Sequence, residues 1–265
     1  PLSPPPPWIA PEKYNNMYDP SEVPKPIRRE SLEEEGRQHP LLKMLHELIP
    51  RSFFINDKLI EPAALMSDLD VLQARATYYG LMSQVDHHLG RVFNYLKKSG
   101  QYESTLIIFT SDHGEQLGDH YSFGKYGYFD QSYFIPLIIR NPEITKQTSD
   151  NSAVIGTQVE LFTETIDVMP TILDWLETEI PEECDGRSLL PFLQGNIPGN
   201  WRTEVHWEYD FREIGSFQPI IEKQFGLSPD QCSLTVLRDE HYKFVHMTAL
   251  KPLLFDLQKI GRAHV

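Results

Sequence analysis

Cysteine is scarce in this chain. Two residues in 265, Cys184 and Cys232, sit in the unrelated contexts Glu-Glu-Cys-Asp-Gly and Asp-Gln-Cys-Ser-Leu. Neither belongs to a CxxC pair, and two cysteines make no disulfide scaffold, so both are expected as free thiols in a reducing compartment. Positive charge is also short: 24 Lys and Arg stand against 38 Asp and Glu, a formal charge of −14. Such a field disfavours a general attraction to nucleic acid or anionic membrane, and an anionic substrate would need a local positive site to overcome it. No apolar run approaches the length of a membrane span, and no signal peptide or internal repeat is visible. With 40% hydrophobic residues, the composition is that of a globular chain sized for one large domain, or a domain with a small appendage.

What is present begins with proline. From Pro1 to about Lys25, repeated prolines fix an extended path, and the interleaved Trp8, Tyr14 and Tyr18 suggest that it packs instead of acting as a flexible linker. Residues 26–68 mix short helical pieces with charge, and the Glu33-Glu34-Glu35 run reads most simply as a solvated helix face. From Asp68 to Lys98, Leu72, Tyr79, Met82, Val85, Leu89, Val92 and Leu96 recur at helical steps, and Gly100 stops the helix. Leu106 to Thr110 is a continuous apolar run of the kind buried on both faces of a parallel sheet. A second strand, Ile135 to Ile139, contains Pro136, which places it at an edge or at the start of pairing. Val159 to Leu176 reads as a loop and helix, with Asp167 before an apolar stripe through Met169, Ile172, Leu173 and Leu176. Beyond Pro181, alternating segments such as Leu234 to Arg238 and Tyr242 to His246 predict a small antiparallel appendage.

Ser111-Asp112-His113-Gly114-Glu115 follows directly on the first strand, and ligands of open α/β sheets bind at the carboxyl ends of strands. Asp112 offers a hard oxygen and His113 an imidazole nitrogen, both ordinary ligands of a divalent ion. Gly114 would permit a tight turn aiming both side chains at one ion. Further on, Gly124-Lys125-Tyr126-Gly127 brings an ammonium toward the same strand end, where cation and metal together can stabilise charge on a transferred tetrahedral group. On position and chemistry alone, Asp-His-Gly reads equally well as a polar turn, and Lys125 as a surface lysine. Asp119 and His120 read as supporting or structural residues, with a further metal contact left open. Trp207, Glu208, Tyr209, Asp210 and Arg212 read as lining a cleft or an oligomer contact, or equally as a well-packed turn.

The run Ser111-Asp-His-Gly-Glu-Gln-Leu-Gly-Asp-His120, with Phe123-Gly-Lys125, Phe129-Asp-Gln-Ser-Tyr133 and Ile135-Pro-Leu-Ile-Ile-Arg140, resembles the sulfatase branch of the alkaline phosphatase superfamily, and within it phosphonate monoester hydrolases and related phosphodiesterases. The likeness extends through Tyr78 to Asp86, Asp185 to Pro191, His206 to Arg212, Arg238 to His246 and Leu253 to Leu257. It implies an alkaline phosphatase-like (sulfatase) α/β core, with a mainly parallel sheet flanked by helices and a small carboxyl-terminal antiparallel appendage. In residues, 1–67 would be an extended, proline-rich part of the catalytic domain, 68–180 the α/β core with the metal-site loop, and 181–259 the small subdomain. The activity implied is metal-dependent hydrolysis of phosphonate monoesters, phosphodiesters or sulfate esters. Asp112 and His113 would be metal ligands, and Lys125 would bind the substrate's sulfuryl or phosphoryl oxygens. Where many calcium sulfatases carry asparagine, His113 makes an all-oxygen calcium site less natural and favours manganese, zinc or iron; manganese is the choice among them, with calcium left open. The partner implied is a small anionic ester, with a homo-oligomer in the cytoplasm expected and export left open.

Departures from the family pattern bear on activity. The family nucleophile is a formylglycine made from cysteine in a Cys-x-Pro/Ala-x-Arg motif, and neither Cys184 nor Cys232 lies in one. The family's first metal-binding aspartates lie upstream of the matched segment. Pro5 stands where relatives often have a substrate-contacting histidine, and Phe134 where they often have a basic residue. The chain starts at Pro1 within a proline-rich run, and residues 260–265, Ile-Gly-Arg-Ala-His-Val, match a reading frame of a sequencing adapter. The expectation is therefore a carboxyl-terminal fragment, inactive alone, with an artefactual tail. The competing expectations are a phosphoethanolamine transferase-like enzyme, which shares the Ser-Asp-His-Gly-Glu run, and a non-catalytic binding or scaffold protein.

Overall fold

The computed structural model describes residues 6–55, 60–144, 155–212 and 218–259; the expectations about Pro5 and residues 260–265 lie outside these. The proline-rich start packs. Trp8 is buried, its N–H donates to the Phe54 carbonyl at 2.8 Å, and its ring lies against Phe54, Tyr78 and Phe123. Three short helices follow, α1 (Glu12–Asn15), α2 (Leu32–Gly36) and α3 (Pro40–Leu48). His39 caps α3 by accepting the Leu41 N–H, while Leu41, Leu42, Met44 and Leu45 enter the core.

The long helix α4 (Asp68–Lys98) has the bounds that the periodicity predicts. Ser67 and Asp70 form a reciprocal capping box at its start, and Gly100, at φ +74°, follows its end. It docks on α1 so closely that a Cβ at Gly80 would lie 2.1 Å from the Tyr14 carbonyl oxygen. Among the described residues, no helix is long and apolar enough to cross a membrane.

Strand β1 (Ile107–Thr110) departs from expectation. It pairs antiparallel with β2 (Leu137–Arg140), in the register Ile107 to Arg140 and Thr110 to Leu137. No mainly parallel sheet appears among the described residues. β1 is only half-buried and Ile138 is 64% exposed. An apolar run specifies that a strand needs cover, and is silent on which strand lies beside it or in which direction. Between β1 and β2 lies α5 (Asp130–Tyr133).

Helix α6 (Val168–Trp175) follows a 3₁₀ turn at Thr165–Asp167. Its predicted stripe is not its buried face: Met169, Ile172 and Leu176 are exposed, while Pro170 and Thr171 are buried. Asp167, wholly buried, anchors the turn by accepting from Arg202 and from the Arg187 N–H.

After α7 (Leu190–Leu193), strands β3 (Val205–Asp210), β4 (Ser233–Arg238), β5 (Tyr242–Met247) and β6 (Leu253–Asp256) form an antiparallel sheet in sequence order, with α8 (Gln218–Phe225) between β3 and β4. Trp207 to Asp210 are thus strand, not turn. Alternation puts Leu234, Val236, Val245, Met247 and Phe255 on the inner face, continuous with the core under α3 and Trp8. Lys243 shares that face and is fully buried. Its Nζ donates to the Tyr128 carbonyl at 3.3 Å and to Asp130 Oδ1 at 3.1 Å, and Arg238 Nε donates to Asp130 Oδ2 at 3.0 Å, so one carboxylate ties the sheet to α5. Both cysteines are free thiols.

Candidate functional site

The Asp112–His113 pair sits just past the end of β1, and its geometry is local. The Ser111 hydroxyl donates to the His113 carbonyl at 2.8 Å, and the His113 N–H donates to Asp112 Oδ1 at 3.0 Å. His113 Nδ1 lies 2.8 Å from the Gly114 carbonyl. A carbonyl only accepts, so Nδ1 carries a proton, and in the neutral imidazole Nε2 is the nitrogen that bears the lone pair. That nitrogen is 3.5 Å from Asp112 Oδ2, and the Asp112 side chain is 74% exposed. Two donors at this separation suit adjacent positions around an ion with ligands at about 2.1 Å. A backbone carbonyl orienting the imidazole is the usual support of a metal-binding histidine. Partial burial raises the Asp112 carboxyl, but His113, the N–H donors and the Lys125 charge outweigh it and hold the group below its ordinary range. Among the described residues, no cluster of three or more His, Cys, Asp or Glu is placed to hold a metal ion.

Gly114 is required here for a different reason from the one expected. A Cβ on it would lie 2.0 Å from the Gln131 carbonyl oxygen, and its N–H donates to the Ser132 carbonyl at 2.7 Å. Close backbone approach, and not left-handed φ, excludes a side chain.

Lys125 is exposed and near enough to act electrostatically on Asp112. Its backbone is held by the residues that follow Asp112–His113. Glu115 Oε1 accepts the Gly124 N–H at 2.5 Å, the Gln116 N–H donates to the Gly124 carbonyl at 3.0 Å, and Gln116 Nε2 donates to the Tyr126 carbonyl at 2.6 Å. Burial pushes the Glu115 carboxyl up to about 7 against the backbone N–H groups of Leu117, Gly124 and Gln116, and burial with Glu115 and Asp112 nearby pushes Tyr78 up to about 12. Spacing assigned no role to Glu115, Gln116 or Tyr78, whose partners only the fold brings to them.

Asp119 and His120 face inward. Asp119 pairs with the buried Arg75 and accepts the Ile27 N–H at 2.9 Å. His120 stacks on Phe129 at 3.7 Å, with Nδ1 3.0 Å from Glu35 Oε1. Glu35 is therefore no solvated member of its acidic run: it is 1% exposed and accepts the Arg29 N–H at 2.7 Å. The Trp207 ring stacks on Tyr133 at 4.8 Å.

The comparisons with known proteins agree in direction. The sulfatase family model matches residues 6–178, and that of the N-sulphoglucosamine sulphohydrolase carboxyl-terminal region matches residues 118–259. The chain is 48% identical over 255 residues to the multifunctional alkaline phosphatase superfamily protein PehA of Trinickia caryophylli, covering 96% of this chain and 48% of that protein. The crystal structure of the phosphonate monoester hydrolase of Agrobacterium radiobacter superposes with a TM-score of 0.90 at 42% identity, over 99% of this chain and 50% of that one. The phosphonate monoester hydrolase SpPMH of Silicibacter pomeroyi gives 0.84 at 39% identity, over 99% and 49%. The chain spans about half the length of each of these relatives.

Proposed function

We propose that this chain, which belongs to the sulfatase family of the alkaline phosphatase superfamily, supplies one wall of a metal-dependent site for hydrolysing phosphonate monoesters or phosphodiesters, with sulfate esters as the near alternative. Carrying the proposal is the pairing of His113 Nε2, the lone-pair nitrogen of the neutral ring, with the exposed Asp112 Oδ2 at 3.5 Å, beside a lysine whose charge Asp112 feels. Two of the similar solved structures, at 42% and 39% identity, are named as phosphonate monoester hydrolases, which favours phosphorus over sulfur.

In this reading Asp112 Oδ2 and His113 Nε2 hold a divalent ion; the nitrogen ligand favours manganese, zinc or iron over calcium, and manganese is our choice among them. The ion, when bound, supplies Lewis-acid stabilisation of charge on the ester's tetrahedral centre. Lys125 binds a non-bridging oxygen of the same group and holds the anion against a chain of net charge −14. The nucleophile is by family resemblance a formylglycine, a role that neither Cys184 nor Cys232 fits, since neither lies in a Cys-x-Pro/Ala-x-Arg motif.

Adding manganese at a small fraction of the protein concentration tests the metal assignment directly. The expected outcome is paramagnetic broadening of NMR signals centred on residues 112 and 113, abolished by His113→Ala. Broadening centred on another acidic surface would remove the two residues from the metal site.

A further inference from the structure

Lys125 is exposed, and it lies between two glycines at left-handed φ, Gly124 at +80° and Gly127 at +93°. Neither side-chain burial nor a stiff backbone fixes where its ammonium points. We propose that Gln116 and Glu115 form a positioning pair that aims Lys125 at the Asp112–His113 donors, by pinning the backbone on both sides of the lysine. This deepens the proposed function and rests on its assignment of Lys125 as the oxyanion-binding group.

The pin is built from consecutive residues of the loop that carries the metal donors. Before the lysine, Gly124 is held twice, its N–H by Glu115 Oε1 at 2.5 Å and its carbonyl by the Gln116 N–H at 3.0 Å. After the lysine, the Tyr126 carbonyl accepts from Gln116 Nε2 at 2.6 Å. The same amide nitrogen donates to Ser132 Oγ at 3.0 Å, and the Ser132 carbonyl accepts the Gly114 N–H at 2.7 Å. Donor loop, lysine loop and α5 thus share one anchor, and a shift of the backbone on either side of Lys125 must break a bond to the residues that follow Asp112–His113.

Packing alone does not account for a glutamine at this place. Gln116 is 1% exposed, and its Oε1 has no hydrogen-bond partner among the described residues. A methionine of similar size would fill the space without burying an unpaired carbonyl. What a methionine lacks is the amide N–H₂ that reaches Tyr126.

The test uses the 265-residue chain and its Gln116→Met variant, with thermal melting as a check on folding. Backbone ¹⁵N order parameters for residues 124–127 are expected near about 0.85 in the parent and below about 0.6 in the variant. Affinity for inorganic phosphate, read from the shifts of the same amides, is expected to fall about tenfold, the scale for displacing one charged anion contact. In a Lys125→Met background, Gln116→Met should leave the residual phosphate affinity unchanged. Ser132→Ala removes the other acceptor of the same amide and should leave residues 124–127 rigid. Should Gln116→Met fail to fold, Glu115→Met removes the Gly124 N–H acceptor and is expected to loosen the same amides. Order parameters that stay near the parent value in a variant that folds overturn the pin. So does a loss of phosphate affinity equal in both lysine backgrounds, the mark of a merely structural residue. A parent chain that binds no phosphate overturns instead the assignment of Lys125, which the order parameters do not touch.

Discussion

A lysine on a surface is ordinarily replaceable at little cost, and that gives Lys125 its diagnostic value. In the complete enzyme that the proposed function describes, Lys125→Ala should lower kcat/KM by about two to three orders of magnitude, the usual scale for one contact made in the transition state. Unchanged kinetics would return it to the surface. His46 makes the opposite kind of prediction, about stability. It is 5% exposed, and burial lowers its pKa from the ordinary 6.5 against the partly compensating bond from Nε2 to the His120 carbonyl at 2.7 Å. A histidine with a depressed folded pKa binds fewer protons folded than unfolded, so stability present above pH 6.5 is lost as the pH falls below it. The loss is bounded at about 1.4 kcal/mol per pH unit for one group. His46→Gln, which keeps an N–H near the Nε2 position, should flatten the fall in urea midpoint between pH 7.5 and 5; an equal slope in both proteins would count against His46. Neither Glu35 nor Gln116 was legible at this scale. A carboxylate in an acidic run and a glutamine in a loop gain their meaning from partners that sit far along the chain, His120 and Tyr126.

Elements were more legible, and α4 most of all. Its start, its end and its cap are written in Ser67-x-x-Asp70, thirty-one residues of helical spacing and Gly100. Strands β4 and β5 of the carboxyl-terminal sheet fall within a residue or two of the alternating segments that predicted them, whereas β3 was not read as a strand. Direction was not legible in β1, because its composition encodes burial and the antiparallel partner is set by chain path. The exposed stripe of α6 failed for a related reason: periodicity identifies an apolar face without naming what covers it. Two glycines of α4 separate propensity from packing. At Gly90 nothing lies within 4 Å of an added Cβ, so Gly90→Ala should stabilise by about 0.5–1 kcal/mol. At Gly80 the added methyl meets the Tyr14 carbonyl at 2.1 Å, so Gly80→Ala should destabilise by about 1–3 kcal/mol. Urea midpoints at unchanged m-value read both, and a shared sign would refute the close docking of α1 on α4.

On the scale of the whole molecule, the candidate site is a partial one. In the proposed reading the described residues offer two metal donors and a cation, and the chain spans about half of its relatives. The isolated chain is therefore expected to hydrolyse phosphonate monoesters, phosphodiesters and sulfate esters no faster than buffer, measured with chromogenic esters in manganese. Turnover that survives His113→Ala would point to a contaminant, and turnover that His113→Ala abolishes would place a nucleophile within these residues. The sheet of β3 to β6 is fastened to the rest partly through Lys243, whose ammonium is sealed against Asp130 and the Tyr128 carbonyl. An amine wholly shut away from solvent cannot react with a reagent dissolved in it. Lys243 is consequently a built-in clock: the pace at which an acylating reagent marks it, followed by mass spectrometry, records how often the sheet lifts away from the loop that bears Lys125.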